Sequence, residues 1–316
     1  MLRKTLPAAL LACCIAAGVS AQTTSSSARS VPASSPTPTS APTPTSVSLP
    51  PSAAGQPALG AFLWLPADTR PSPAIVMAHG CSGVGKGGKP SVRFSDWAQR
   101  FRDAGFRVLL VDSFSGRGIE ELCTVKFADR RLKQQHRVPD LLGAAAWLRA
   151  RGDVTAVVLA GWSHGGGVVL DTLQDKRATR FDAMLAFYPG CTRFAGKGDR
   201  FRAPVPVVIH VGEADDWTPA APCVQLHDNA QARGLDVTVH TYAGSYHDFD
   251  SATGKLHHRA DVPNGVNPGQ GVMVGPNPVA RALARERVMA WLETYRTGGK
   301  AGGLGSDNSP ERTDQR

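Results

Sequence analysis

Residues 154–160, Val-Thr-Ala-Val-Val-Leu-Ala, run straight into Gly161-Trp162-Ser163-His164-Gly165 and then into Gly166-Gly167-Val168-Val169-Leu170. The first run is short, uncharged and rich in β-branched residues, which reads as a buried strand. The last begins a helix. A serine held between glycines where a strand turns sharply into a helix is a nucleophile elbow, and a side chain at either glycine would crowd that turn. The arrangement commits the chain to a strand–turn–helix unit whose strand is covered on both sides. G-x-S-x-G arises by chance in roughly a tenth of chains of this length. The weight therefore falls on whether an acid and a histidine follow it in order.

The surrounding sequence repeats the alternation. Residues 61–65, 74–78, 107–112, 183–188, 205–211 and 237–242 read as further strands. Residues 93–104 have helical spacing through Phe94, Trp97, Phe101 and Ala104, with Gly105 as a stop. Residues 126–151 read as a helix with Leu141, Leu142, Ala145, Ala146 and Leu148 on its apolar face. Thr218-Pro219 is read as a helix start, and Asn277-Pro278 as the cap of a closing helix with a stripe of Val279, Leu283, Val288, Leu292 and Tyr295. Strands alternating with helices imply an α/β fold with a mostly parallel central sheet flanked by helices on both faces. Such sheets place ligands beyond the carboxyl ends of their strands.

The ends of the chain read differently. Met1-Leu2-Arg3-Lys4, an apolar stretch over 6–19 and Val19-Ser20-Ala21 before Gln22 read as a signal peptide over 1–21. Leu10-Leu11-Ala12-Cys13 loosely resembles a lipoprotein box, a weaker reading. No run is long and apolar enough for a transmembrane segment. Residues 22–55 are Ser, Thr, Pro and Ala with few large apolar side chains, and are expected to form a disordered linker. The expected catalytic domain covers 56–297, and 298–316 is expected to be a disordered tail.

The formal charge is +9, but Lys and Arg are dispersed rather than clustered with aromatics, so no nucleic-acid partner is expected. A mildly basic surface reads first as a generic solubilising surface, and otherwise suits anionic substrates or association with an anionic cell envelope. Of six cysteines, Cys13 and Cys14 lie in the leader, leaving Cys81, Cys123, Cys191 and Cys223. An even number behind a signal peptide implies disulfides and an exported protein, periplasmic or secreted. Four cysteines allow three pairings, and the residues leave all three open. Their spacing suggests no zinc site; His257-His258 lacks partner ligands, so no metal and no cofactor are expected.

Ser163 needs a base, and the base needs an orienting acid. Gly212-Glu213-Ala214-Asp215-Asp216-Trp217-Thr218-Pro219 follows a strand and supplies Asp215, preferred over Asp216, which sits nearer the expected helix cap. Tyr242-Ala243-Gly244-Ser245-Tyr246-His247-Asp248-Phe249 follows the last strand and supplies His247. The order Ser163, Asp215, His247 is that of the elbow-bearing enzymes. Backbone N–H groups of His164 and Cys81 are the expected oxyanion donors. Trp162, Trp217 and Tyr246 are candidates for lining a substrate pocket, with aromatic core packing as the equal alternative.

On His79-Gly80-Cys81-Ser82-Gly83, Gly161-Trp162-Ser163-His164-Gly165-Gly166 and the 212–219 and 242–249 blocks, the chain resembles the α/β-hydrolase superfamily. Within it, the chain resembles the dienelactone hydrolase family. The resemblance spans about residues 60–297. It implies an eight-stranded, mostly parallel sheet with Ser163, Asp215 and His247 as its triad. The enzymes that give the family its name carry cysteine at the elbow, where this chain has Ser163; serine suits general carboxyl-ester hydrolysis. The family frame also suggests Arg117 as a holder of a substrate carboxylate, with an ordinary salt bridge as the alternative. On that frame Cys191 and Cys223 each follow a strand at the active edge and are expected to bridge, with Cys81 and Cys123 the remaining pair. The resulting expectation is an exported serine hydrolase acting on a small ester or lactone through an acyl-serine. Its rivals are a surface-tethered, polymer-active esterase or acyltransferase, and a non-catalytic binding module on the same scaffold.

Overall fold

The computed structural model describes residues 43–297. The expected signal peptide and tail lie outside them, as does the linker up to residue 42. In chain order the elements are β1 (Thr45–Leu49), β2 (Leu59–Trp64), β3 (Ser72–Ala78), α1 (Val92–Asp103), β4 (Arg107–Val111), α2 (Val138–Arg149), β5 (Val154–Trp162) and α3 (His164–Gln174). They continue with β6 (Ala183–Phe187), α4 (Thr192–Ala195), β7 (Val207–Gly212), α5 (Ala221–Gln231), β8 (Val237–Tyr242), β9 (His257–Arg259), β10 (Val272–Val274) and α6 (Pro278–Arg296).

Eight strands form one sheet in the order β1-β2-β4-β3-β5-β6-β7-β8. β1–β2 and β2–β4 pair antiparallel and the remaining neighbours pair parallel, so β5 and its serine sit near the middle. The central strands are continuously apolar because both faces are covered. Side chains alternate across the sheet. A Cβ on Gly161 would lie 2.8 Å from Val169 of α3, whereas the Trp162 ring packs 6.1 Å from Trp97 of α1, so α3 and α1 cover opposite faces. α6 joins α1 through ion pairs of Arg281 and Arg285 with Asp96.

Four expectations need correction. β1 lies inside the segment read as linker, so the ordered domain starts before residue 56. Its Ser46-Val47-Ser48-Leu49 alternation pairs with β2 in register, and Leu49 is buried. The helix read over 126–151 begins only at Val138; residues 127–129 and 134–137 are single 3₁₀ turns. Pro139 fits the first turn of α2 but would break a helix arriving from upstream. Thr218 does not cap α5, which starts at Ala221 with a proline in its first turn. On α6 the buried positions are Ala280, Ala284, Val288, Leu292 and Tyr295, while Val279 and Leu283 are exposed. The Asn277 side chain does accept from the Val279 and Ala280 N–H groups as an N-cap.

The excursion after β8 is packed. Val262, Val272 and Val274 join Cys81, Phe114, Ile119, Leu122, Cys123, Leu132 and Trp217 in a second apolar cluster. His257 and His258 bond backbone carbonyls of Lys255 and Gln270. Among the described residues no group of three His, Cys, Asp or Glu side chains could hold a metal, and no helix is long and apolar enough to cross a membrane. Disulfides join Cys81 to Cys123 and Cys191 to Cys223.

Candidate active site

Ser163 occupies the turn between β5 and α3 with φ 54°, an unfavourable backbone for a residue with a side chain. Its N–H donates to the Phe187 carbonyl and its own carbonyl accepts from Gly167, both at 2.9 Å, which holds the strain in place. A Cβ on Gly161 would meet the Gly165 carbonyl oxygen at 2.3 Å, and one on Gly165 would meet that of Ala78 at 2.1 Å. No side chain fits at either flank.

Ser163, His247 and Asp215 come together although they are remote in sequence. His247 Nε2 lies 2.8 Å from Ser163 Oγ, and His247 Nδ1 lies 2.8 Å from Asp215 Oδ2. The carboxylate is itself fixed. Its Oδ1 accepts from the Trp217 and Thr218 N–H groups at 2.9 and 2.8 Å, and the Thr218 hydroxyl is 3.0 Å from Oδ2. Asp216 turns away and accepts from the Met273 N–H, anchoring β10. β10 in turn bridges to His247 through Val274, and the Gly275 N–H donates to the His247 carbonyl.

Burial presses the His247 imidazole toward its neutral form. The Asp215 charge and hydrogen bond, aided by Asp248, outweigh that and hold it above the usual histidine range. Asp248 is ion-paired to Arg93 at 2.7 Å. Beneath them Asp250 accepts from Trp97 and Trp162 indole N–H groups at 2.7 and 2.8 Å and from the Tyr188 hydroxyl at 2.7 Å. Tyr188 packs its ring 4.4 Å from that of His247. Tyr188 and Asp250 carried no sequence signal, since each sits among ordinary loop or strand-end residues, and Thr218 signalled only a helix cap.

Two more histidines flank the serine. His79 Nδ1 is 2.8 Å from the Gly80 carbonyl and its Nε2 accepts from the Ser113 N–H, so its proton is on Nδ1. His164 Nδ1 faces Arg137 Nη1 at 2.9 Å; a guanidinium only donates, so this nitrogen accepts and the proton is on Nε2. Burial first, and Arg137 second, push both well below the usual histidine range. Among the described residues neither the Cys81 nor the His164 N–H finds a protein acceptor.

The candidate pocket residues divide. Trp217 lines a cavity of about 720 Å³ with His164, Gly190, Thr218, Arg130 and Arg193, and its ring packs 4.7 Å from that of His247. Trp162 is fully buried under the sheet edge, because strand alternation turns it to the α1 face. Arg117 is taken up by Asp140 at 2.8 and 2.9 Å and by the Ser113 carbonyl, which leaves it no fork for a substrate. Tyr246 is half-buried and lines no part of this cavity.

The sheet order, the elbow and the acid and histidine that follow it define an α/β-hydrolase. Residues 59–296 match the dienelactone hydrolase family, and the chain belongs to it; it is an enzyme of the hydrolase class. No curated protein sequence matches the chain. Among solved structures it is similar to a dienelactone hydrolase-like promiscuous phosphotriesterase from metagenomic libraries. That match has 17% identity and TM-score 0.60, covering 80% of this chain and 99% of that one. It is also similar to Thermogutta terrifontis esterase 2 phosphoramylated by tabun (17%, TM-score 0.55, 84% and 99%). A third is the dienelactone hydrolase from Anabaena variabilis (18%, TM-score 0.55, 81% and 99%).

Proposed function

We propose that this protein is an exported serine hydrolase that cleaves a small carboxylic ester or lactone through an acyl-serine. The observation that carries the reading is the unbroken relay from Ser163 Oγ through His247 to Asp215, with both links at 2.8 Å. Ser163 attacks the substrate carbonyl while His247 Nε2 takes its proton. Asp215 holds the Nδ1 proton, fixing the tautomer and stabilising the imidazolium. The Cys81 and His164 N–H groups receive the oxyanion. Collapse expels the alkoxide, which takes the proton from His247. Water, deprotonated by the same nitrogen, then releases the acid and restores Ser163.

The cavity beside the relay suits a small acyl or alkoxy group, and Trp217 supplies its apolar wall. Arg130, Lys133 and Arg193 line it too, so esters bearing a carboxylate belong among the substrates tried. Two disulfides support an oxidising compartment.

Turnover of short-chain esters and lactones, with and without a carboxylate, tests the reading beside labelling by a fluorophosphonate. Wild-type protein should hydrolyse part of the panel and take up one label. The Ser163→Ala variant should do neither. Full activity in that variant, or an unlabelled and inert wild type, overturns the proposal.

A further inference from the structure

Arg137 is fully buried, yet no carboxylate oxygen bonds it. It ends the 3₁₀ turn before α2, and its Nη1 makes both of its hydrogen bonds. One goes to the His79 carbonyl at 2.9 Å and the other to His164 Nδ1 at 2.9 Å. Nε and Nη2 have no partner among the described residues, and the guanidinium lies 5.1 Å from the centre of the Phe114 ring. Burial pulls its pKa down to about 10, so it remains a cation at neutral pH. A buried charge with three unpaired N–H bonds is costly, and packing alone gives no reason to keep it.

Its two acceptors supply the reason. His164 carries one proposed oxyanion N–H. The His79 carbonyl opens the loop that carries the other, on Cys81. That loop is held at each successive carbonyl. His79 is held by Arg137, Gly80 by the His79 ring, and Cys81 by the Leu122 N–H at 2.7 Å. In a trans peptide the N–H points opposite the carbonyl. Fixing the Gly80 carbonyl therefore aims the Cys81 N–H. A Cβ on Gly80 would stand 3.5 Å from Ser163 Cβ, so this loop lies directly over the nucleophile.

We propose that Arg137 is the positioning residue of the oxyanion hole: one buried nitrogen ties the loop of the first donor to the side chain of the second. It sets their spacing and brings a fixed positive charge behind the site where negative charge develops. This rests on the acyl-serine reading above. A group of this kind acts on the tetrahedral oxyanion and hardly on the neutral ester.

The test compares Arg137→Gln and Arg137→Lys with wild type, all rates expressed per serine titrated by a fluorophosphonate. p-Nitrophenyl acetate reports kcat and KM, and a trifluoromethyl ketone reports affinity for a tetrahedral oxyanion. Arg137→Gln should lose about 10²-fold in kcat with KM within about twofold, and ketone affinity should fall by a similar factor. Arg137→Lys, which keeps the charge and one bond, should recover about tenfold of that loss. The pH of the acid limb should not fall in either variant. A kcat loss under about threefold, a ketone affinity that does not follow kcat, or a lysine variant no better than glutamine overturns the proposal. If the glutamine variant does not fold, His164→Ala replaces it, removing one acceptor and keeping the cation. About tenfold lower kcat at unchanged KM is then expected, and unchanged kcat overturns the assignment. An unlabelled wild type would instead strike at the serine-hydrolase reading.

Discussion

On one flank of Ser163 stand His247, Asp215 and Asp248; on the other stand His79, His164 and Arg137. The three imidazoles are almost equally hidden, with exposures of 1%, 0% and 4% for His247, His79 and His164. Burial alone would make all three poor bases. The difference is the sign of the neighbour. Carboxylates on the first flank lift His247, and a guanidinium on the second drives the other two further down. On the proposed mechanism His247 is therefore the histidine suited to take the proton, while His79 and His164, both held toward their neutral forms, serve as hydrogen-bonding struts. On the same proposed mechanism, the serine lies where its proton would leave toward negative charge and an oxyanion would form toward positive charge.

The strongest way to break this comparison is to remove the negative flank. His247→Gln and Asp215→Asn should each lower kcat by about 10⁴-fold, the second by stranding His247 in the wrong tautomer. Steady-state kinetics per titrated serine checks both. The positive flank is clamped by the Cys81–Cys123 disulfide, which closes a 42-residue separation. Replacing both cysteines by alanine should cost about 4 kcal/mol of stability in denaturant titration. It should also lower kcat about tenfold by loosening the Cys81 N–H. The Cys191–Cys223 pair should cost similar stability with less loss of kcat.

A third test sharpens the contrast through pH. His79, His164 and His210 are held neutral by the folded state, so on unfolding each binds a proton below about pH 6.5. Their contribution is present above that pH and is lost as pH falls, by up to about 1.4 kcal/mol per pH unit for each imidazole. His247 has the opposite sign, contributing below pH 6.5 and losing that contribution as pH rises through its folded value. Net, melting temperature should drop between pH 6.5 and 5. A flat profile would mean that His79, His164 and His210 are already charged in the folded state. The smallest effect is expected from Asp248→Asn. Losing that carboxylate and unpairing Arg93 should shift the acid limb of kcat/KM to lower pH, read directly from a pH–rate profile.

Much of this site could be read in advance because its residues obey local rules. The elbow needs glycines that nothing else replaces, and the acid and base follow strands of unmistakable composition. The parts that escaped depend on partners distant in sequence. Arg137 lies in a charged stretch whose helical appearance hid a 3₁₀ turn, and its bonds reach back to residue 79 and forward to residue 164. Thr218 looked like a cap because threonine before proline favours one; in the fold its hydroxyl is near Asp215 instead. Trp162 follows from strand alternation, which turns the residue before the elbow serine away from the mouth. For Arg117 a substrate carboxylate and a salt bridge were both open in the sequence, and Asp140, in the first turn of α2, settles it as the salt bridge.

β1 has a practical side. It covers the outer rim of β2 along five residue pairs, from Thr45 with Leu63 to Leu49 with Leu59. A shortened chain starting at Gly55 would leave Leu59, Ala61 and Leu63 on a bare strand whose N–H and C=O groups seek a new neighbour. β1 thus shields those apolar positions from a second chain, and trimming it should raise the aggregated fraction seen by light scattering.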